Sequence, residues 1–300
     1  MKKHNIMLRQ AQHDILNNLT SLPKLMRLGV SLAVSFSAAT GYLIANSILD
    51  IKIVFVILGV FFLSGGASAL NQYQERSTDA IMSRTKNRPI PSGIMSETTG
   101  LLLAIVLCII GFTILYFKTG TIPATLGLLN LLWYNGLYTF LKKKTAFAVV
   151  PGSLTGVTPL LIGWSAASAS LLNPVIIFIS FFIYMWQIPH FWILHIKYAD
   201  DYEKAGLGVL HRFFSDNQIK RIIFAWIIAT SLASLLFPYF GIIQSKILTI
   251  ILISINVLLP ISLYRIIFSK SKGFNYKKAF IEINAFMILV MILLIIDYLF

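Results

Sequence analysis

The chain has 300 residues, of which 57% are hydrophobic and only 12% are charged, and its formal net charge is +14. A soluble globular domain carries about 25% charged residues, so this composition excludes that class and predicts an integral membrane protein. The single cysteine, Cys108, excludes an intramolecular disulfide and a cysteine metal cluster. In a membrane protein, the positive charge indicates loops that contact lipid head groups rather than nucleic acid.

The polar N-terminal segment, residues 1–27, precedes the first apolar run. It lacks a short apolar core followed by a small-residue cleavage site, so we do not expect a signal peptide. Residues 5–27 are predicted to form an amphipathic helix on the cytoplasmic face of the membrane. No Arg- and Ser-rich transit segment precedes the first span, which favours a bacterial plasma membrane over a mitochondrial one.

Nine apolar runs are long enough to cross a bilayer as helices. We therefore predict an all-α integral membrane protein in which residues 1–300 form one membrane-embedded domain. The predicted spans are 28–48, 52–70, 99–117, 121–141, 147–167, 172–196, 221–240, 247–268 and 279–299. The first two spans contain the clusters SFSAATG and GGASA, and small residues at this spacing predict close helix packing.

The distribution of lysine and arginine predicts the orientation of the chain. With the N-terminus inside, all but three of the 25 basic residues fall in inside segments, and the exceptions are Lys52, Lys118 and Lys246. Because inside loops are enriched in lysine and arginine, we expect a cytoplasmic N-terminus and an outside C-terminus. Residues 71–98 and 197–220 are then the two longest cytoplasmic loops, and both contain acids.

The first of these loops begins with an oxygen-rich pattern. Asn71, Glu75 and Asp79 are spaced i, i+4 and i+8, which places them on one face of a helix. Hard oxygen ligands of this kind suit Mg²⁺, which commonly binds one or two carboxylates together with substrate phosphates. The alternative is a solvated helix end whose acids pair with Arg76 or Arg84.

Basic residues follow this pattern and recur on the next inside loop. Together they could clamp a diphosphate, since arginine binds phosphate oxygens in a bidentate manner and lysine acts as a point charge. The candidates are Arg84, Lys86, Arg88, Lys142 and Lys143. The alternative is that they only set the topology, because inside loops are positively charged in any case.

The second loop offers a thinner acidic site. Asp200 and Asp201 could hold a second Mg²⁺, and Lys197 could contact the phosphate, although an ordinary helix end explains the same residues. The preceding aromatic stretch, residues 184–195, includes Pro189, which should kink the span, and His190. This stretch predicts either the wall of a large flat apolar cavity or an aromatic belt at the membrane interface.

The pattern N-x-x-x-(D/E)-x-x-x-D-x-x-M-x-R-T-x-x-R-P over Asn71–Pro89 resembles the first aspartate-rich motif of the UbiA superfamily of membrane prenyltransferases. The stretches MSRTKNRP, YTFLKKKT, PLLIGW, PHFW and DDYEKAGL resemble the branch of that superfamily that farnesylates haem. One departure is Glu75, which stands where an aspartate is usual.

The resemblance implies nine transmembrane helices around a central cavity, with farnesyl diphosphate and haem B as substrates and haem O as product. It implies that Asn71, Glu75 and Asp79 hold Mg²⁺ on the diphosphate, and that Asp201 with Asp200 supports a second ion. It further implies contacts to the diphosphate, to the farnesyl cation and to haem. The residues expected to make them are Arg84, Lys86, Arg88, Lys142, Lys143 and Lys197 for the diphosphate, Tyr138 for the cation and His190 for haem.

Two other functions remain open at this stage. The chain could prenylate an aromatic quinone precursor, or it could be a haem or lipid transporter that performs no chemistry. Transporters tend to place charges at broken helices in mid-membrane, whereas the acids here cluster at the inside edge. If haem is the substrate, a haem A synthase or a terminal oxidase assembly is the expected partner.

Overall fold

The computed structural model describes residues 18, 20–269 and 274–300, and the regular structure of these residues is entirely helical. Most of the predicted amphipathic helix over 5–27 lies outside the described residues. Residues 20–25, at its end, are helical and lead through a turn into the first long helix.

The α-helices are numbered in chain order over the described residues. The first six are α1 (Leu28–Asn46), α2 (Lys52–Gln74), α3 (Arg76–Ile81), α4 (Glu97–Ile114), α5 (Thr121–Leu131) and α6 (Thr139–Lys144). The remainder are α7 (Val149–Gly152), α8 (Leu154–Ala166), α9 (Pro174–Lys197), α10 (Ala199–Lys204), α11 (Asp216–Leu235), α12 (Lys246–Ile267) and α13 (Tyr276–Leu299).

Eight helices of the described chain are long and apolar enough to cross a membrane, so the protein is a multi-span integral membrane protein. The predicted span 121–141 is not among the eight helices. Its helical run continues from Thr121 to Lys144 but contains a seven-residue π-helix, Leu132–Tyr138, between α5 and α6. Over the described residues, the eight helices and this composite helix together are consistent with the predicted nine crossings.

Small residues bring the long helices into close contact, as the sequence predicts. A Cβ atom added at Gly163 of α8 would lie 1.7 Å from the Ala38 carbonyl oxygen of α1. One added at Gly66 of α2 would lie 2.7 Å from the Cys108 amide nitrogen of α4. Any side chain at these two positions would force the helices apart, so the glycines set the spacing of two helix pairs.

One end of the helix bundle carries the polar contacts and is called the polar end below. There the C-terminal end of α2 contacts the turn before α1 and the start of α6, and the segment after α3 contacts α10. The contacts include Asn71 with Thr139, Gln72 with Leu25, and Ser83 with Asp201. All the sequence-predicted site residues on these helices therefore lie at or just below the same end of the bundle.

Candidate active site

The three oxygen-bearing residues at the end of α2 keep their helical spacing across a joint. Glu75 has φ −108° and ψ 10°, which separates α2 from α3. The i to i+4 hydrogen bonds nevertheless continue, from the Glu75 amide to the Asn71 carbonyl at 3.0 Å and from the Asp79 amide to the Glu75 carbonyl at 2.7 Å. Asn71, Glu75 and Asp79 are 3%, 3% and 1% exposed, so the face predicted from the sequence is buried in the protein.

Each of these acids is paired with a cation predicted for the diphosphate clamp. Arg88 Nη1 lies 2.5 Å from Asp79 Oδ2, and Lys142 Nζ lies 2.6 Å from the Glu75 carboxylate. Asn71 donates from Nδ2 to the Thr139 hydroxyl at 3.1 Å, which ties α2 to α6. The structure therefore brings together both carboxylates and two of the predicted cations.

Burial dominates the electrostatics of the Asp79–Arg88 pair. It raises the pKa of the Asp79 carboxyl, although the nearby Arg88 guanidinium acts in the opposite direction. Burial also lowers the pKa of Arg88, against the favourable charge of Asp79. Both groups have lost hydration, so their energies depend on the charges and ligands that meet them within the protein.

The donor set fits a divalent metal that is also bound by a substrate phosphate. No group of three or more His, Cys, Asp or Glu side chains among the described residues is arranged as a metal site by itself. However, Asp79 Oδ1 is buried and has no hydrogen-bond partner among the described residues, so this oxygen is free for a ligand. Two carboxylates and one amide oxygen match the sparse protein ligation that Mg²⁺ accepts when phosphates complete its shell.

Other predicted clamp residues lie further from the buried acids. The Arg84 guanidinium stacks 5.0 Å from the Tyr198 ring centroid and donates to the Tyr202 hydroxyl at 3.3 Å. Lys86 and Lys143 are exposed. Their charge thus faces the surroundings of the polar end rather than the Glu75 and Asp79 carboxylates.

The second acidic segment contacts the first segment through hydrogen bonds. Asp201 Oδ2 accepts from the Ser83 hydroxyl at 2.5 Å and from the Arg84 amide at 3.3 Å. The Ser83 hydrogen bond holds the pKa of the Asp201 carboxyl below its usual range. Asp200 and Lys197 are exposed, and the Lys197 ammonium lies 4.8 Å from the centroid of the neighbouring Tyr198 ring. The observed partners of Asp201 are thus the chain after α3, and a second metal site there stays a prediction.

The π-helix places an aromatic pair next to Lys142. The Tyr138 ring lies 5.8 Å from the Tyr134 ring, centroid to centroid, and Lys142 Nζ lies 5.6 Å from the Tyr138 centroid. A Cβ added at Gly152 would lie 2.5 Å from two Tyr138 ring carbons, so Gly152 makes room for that ring. Single π-helical turns often mark functional sites, and this one immediately precedes the helix that carries the predicted lysines.

A cavity of about 760 Å³ lies below this cluster, within the size range of ligand pockets. Side chains from α1, α2, α5, α8, α9 and α13 line it, and most of them are apolar. His190 is one of them, and its ring centroid lies 4.7 Å from that of Trp186 and 4.9 Å from that of Phe280. The apolar cavity predicted from the aromatic stretch 184–195 is therefore present.

The cavity opens between the first and last long helices. The lining residues of α1 and α13 at this position are exposed, and examples are Val30 on α1 and Ile288 on α13. Arg27, just before α1, also lines the cavity. This role could not be predicted from the sequence, because Arg27 is an isolated charge in a polar segment and indicated only the topology.

Buried acids paired with cations, above an apolar cavity in a helical bundle, define an intramembrane transferase of the prenyl diphosphate type. Residues 34–290 match the UbiA prenyltransferase family, and the chain belongs to that family. The solved structure of a UbiA homologue from Archaeoglobus fulgidus bound to GPP and Mg²⁺ has the same fold. Its TM-score is 0.73 at 14% identity, over 93% of this chain and 99% of that one.

Relatives that are similar in sequence include proteins named protoheme IX farnesyltransferase. The protein from Christiangramia forsetii is 35% identical over 239 residues, which cover 79% of this chain and 77% of the relative. That from Oleidesulfovibrio alaskensis is 30% identical over 284 residues, which cover 93% of this chain and 96% of the relative. The chain thus spans most of the length of both relatives.

Proposed function

We propose that this protein transfers the farnesyl group of farnesyl diphosphate to a vinyl group of haem B, giving haem O and diphosphate. The observation that carries the proposal is the position of the Glu75 and Asp79 carboxylates, with their cations, at the polar end above a large apolar cavity. The names of the relatives supply the acceptor, since they are protoheme IX farnesyltransferases.

The diphosphate is proposed to bind at the cluster of Asn71, Glu75 and Asp79, together with Mg²⁺. When bound, Mg²⁺ supplies positive charge that stabilises the diphosphate as the C–O bond breaks. Arg88 and Lys142 neutralise the two acids in the ligand-free protein. If the carboxylates held a divalent ion, these two cations would be available to the phosphate oxygens. Their charge is in place before the reaction, so little reorganisation is needed as the leaving group develops.

The farnesyl chain and the haem are proposed to share the cavity. Cleavage of the C–O bond leaves an allylic cation, which the rings of Tyr138 and Tyr134 stabilise through their π faces. The haem vinyl group attacks this cation to form a C–C bond, and water then adds to the resulting carbon cation and loses a proton. The apolar lining delays water until that point, and His190 contacts the haem.

The remaining predicted residues are assigned supporting roles. Arg84, Lys86, Lys143 and Lys197 are proposed to attract the diphosphate to the polar end, since charged surfaces raise the local concentration of charged substrates. Asp201 is proposed to fix the chain after α3, with or without a second ion held together with Asp200.

The same proposal sets the location and the partners. The polar end is proposed to face the cytoplasm of a bacterial cell, with the N-terminus inside and the C-terminus outside, because basic residues concentrate in the inside segments. Residues 1–300 are proposed to act as one prenyltransferase domain. A haem A synthase or a terminal oxidase assembly is the proposed recipient of the product.

The test uses membranes that contain the protein, supplied with farnesyl diphosphate, Mg²⁺ and haem B. Chromatographic detection of haem O supports the proposal, and membranes without the protein provide the background. A parallel incubation contains an aromatic quinone precursor in place of haem. Prenylation of that compound but not of haem would assign the protein to another branch, and no product from either acceptor would contradict a transferase function.

A further inference from the structure

We propose that Arg27 binds a propionate carboxylate of the haem substrate at the opening of the cavity, and so orients the opposite, vinyl-bearing edge towards the diphosphate site. This inference rests on the proposed function. The acid and cation cluster at the end of α2 does not explain how the acceptor is recognised. The inference assigns that recognition to Arg27.

Arg27 is distinguished first by its charge. Among the described residues that line the cavity, it alone carries a full charge, and it stands where the lining reaches the exposed face of α1. The guanidinium has no hydrogen bond or ion pair with another described residue, whereas Arg88 and Lys142 are paired with acids. A half-buried arginine that has no partner among the described residues, and that lines an apolar cavity, is suited to bind an anion inside that cavity.

The backbone around Arg27 is held in a defined position. Arg27 has φ 50° and ψ 57°, a left-handed conformation that is unfavourable for a residue with a Cβ atom. The buried amide of Gln72, adjacent in sequence to Asn71, donates to the Lys24 and Leu25 carbonyls at 3.1 and 2.8 Å. Ser31 donates to the Met26 carbonyl at 2.8 Å. The turn that presents Arg27 is thus attached to the helix that carries the predicted metal ligands.

The position of Arg27 relative to the acid cluster indicates which anion it binds, the diphosphate or a haem propionate. The turn that presents Arg27 is hydrogen-bonded to Gln72, which is adjacent in sequence to Asn71, so Arg27 lies near the reaction site. However, Arg88 and Lys142 already contact the acids that would share Mg²⁺ with the diphosphate, and neither of them lines the cavity. Arg27 is therefore the cation available to a second anionic molecule inside the cavity.

The chemistry of haem B matches this arrangement. Its two propionates lie on one edge of a flat apolar ring, and its vinyl groups lie away from that edge. Ionised carboxylates are costly inside a bilayer, so they remain at the interface while the ring enters the apolar region. Arginine binds a carboxylate through two parallel N–H bonds, which fixes orientation as well as affinity. If a haem enters between α1 and α13, its carboxylates would thus contact Arg27 and its ring would contact the aromatic side chains of the cavity wall.

The experiment compares Arg27→Gln with the unmodified protein, using purified full-length chains in lipid nanodiscs. Haem binding is titrated by absorbance without farnesyl diphosphate, and transfer rates give the KM of each substrate. We expect Arg27→Gln to weaken haem binding about tenfold or more, because a charge-assisted bond is lost, and to leave the KM for farnesyl diphosphate unchanged. Arg27→Lys, which keeps the charge but not the bidentate geometry, should fall between the two.

The acceptor is varied in the same experiment. Protohaem dimethyl ester lacks the propionate charges, so we expect it to bind the unmodified protein as weakly as haem binds Arg27→Gln, and to be insensitive to the substitution. Lys24→Gln is the matched control, since it removes a charge from the same turn but its exposed side chain is outside the cavity lining. It should bind haem like the unmodified protein.

The contrary outcomes are distinct. If Arg27→Gln raises the KM for farnesyl diphosphate and not that for haem, Arg27 serves the diphosphate and the inference is wrong. Equal binding of haem and its dimethyl ester by the unmodified protein also rejects it, while haem O formation would still stand. If the unmodified protein forms no haem O at all, the proposed function fails instead.

Discussion

The Ser83 hydroxyl donates a hydrogen bond of 2.5 Å to Asp201 Oδ2, and this bond joins the segment after α3 to the segment after α9. The Arg84 amide reaches the same oxygen at 3.3 Å. Two segments that the sequence presents as separate acidic sites are thus linked through one carboxylate. The link fixes the start of the chain that leads from Asp79 to its partner Arg88.

Asp201→Asn should release this link, because the amide cannot accept as strongly as a carboxylate. We expect hydrogen exchange over residues 82–88 to accelerate and the KM for farnesyl diphosphate to rise several-fold. Asp200→Asn is the control, since the neighbouring carboxylate is exposed and should tolerate the change. If both variants lose activity equally, the two acids act together as a metal site and the linking role of Asp201 is refuted.

The Asp201 link should also have a defined pH range. The Ser83 hydroxyl lowers the pKa of Asp201 in the folded protein. A carboxyl with a lowered folded pKa contributes stability above its unfolded pKa, about 3.9, and loses it as the pH falls through the folded value. The ratio of exchange rates between Asp201→Asn and the unmodified protein should therefore be the same at pH 5 and pH 8. A ratio that already falls at pH 5 would contradict this reasoning.

Asp79→Ala should abolish prenyl transfer while the protein remains in the membrane. It should also cost about 3 kcal/mol in unfolding free energy, because Arg88 is left buried without its partner. The double variant Asp79→Ala/Arg88→Met should regain much of this stability but no activity. Activity retained in Asp79→Ala would refute the assignment of this carboxylate to the diphosphate site. Glu75→Asp, which keeps the charge with a shorter reach, should be the best tolerated change in the cluster.

Lys142 and Lys143 should differ sharply, although they are adjacent and were predicted together. Lys142→Met removes the partner of the buried Glu75 carboxylate, so we expect a loss in kcat/KM for farnesyl diphosphate of about a hundredfold. Lys143→Met removes an exposed charge that lies 5.9 Å from the Phe140 ring and should change kcat/KM less than about threefold. Equal effects would mean that the cations act only as a diffuse positive surface.

Gly152→Ala should displace the Tyr138 ring, because the added Cβ would lie 2.5 Å from two ring carbons. We expect kcat to fall by about tenfold, with a smaller change in the KM for farnesyl diphosphate, if the ring stabilises the farnesyl cation. Gly136→Ala is the control, because Gly136 lies in the helical run that carries Tyr138 but no atom lies within 4 Å of an added Cβ. A normal kcat in Gly152→Ala would remove Tyr138 from the mechanism.

The helix that carries Asn71, Glu75 and Asp79 could be predicted in detail because its spacing is local. Residues four apart share a helical face whatever surrounds them, and the joint at Glu75 did not disturb this relation. The apolar spans followed from length and hydropathy for the same reason. The interruption of span 121–141 was not predicted, since a π-helix depends on packing such as the contacts between Asn135 and Gln74.

Contacts between segments that are distant in sequence could not be predicted. The Asp201–Ser83 bond joins residues 118 apart, and no periodicity relates them. The charges around the site were predicted as a group, but their pairing was not, so Arg88 and Lys142 could not be separated from Lys86 and Lys143. Arg27 was missed because its position in the cavity wall depends on how α1 packs beside α13.

The opening between α1 and α13 has a consequence for how the protein is made. The two helices that flank it lie near opposite ends of the described chain, so during synthesis one wall of the cavity enters the membrane long before the other. A chain halted before Tyr276 would lack the side of the cavity that α13 supplies, although Arg27 and the lining of α1 would already be in the membrane. We therefore expect the substrate cavity to be complete only after α13 has inserted beside α1.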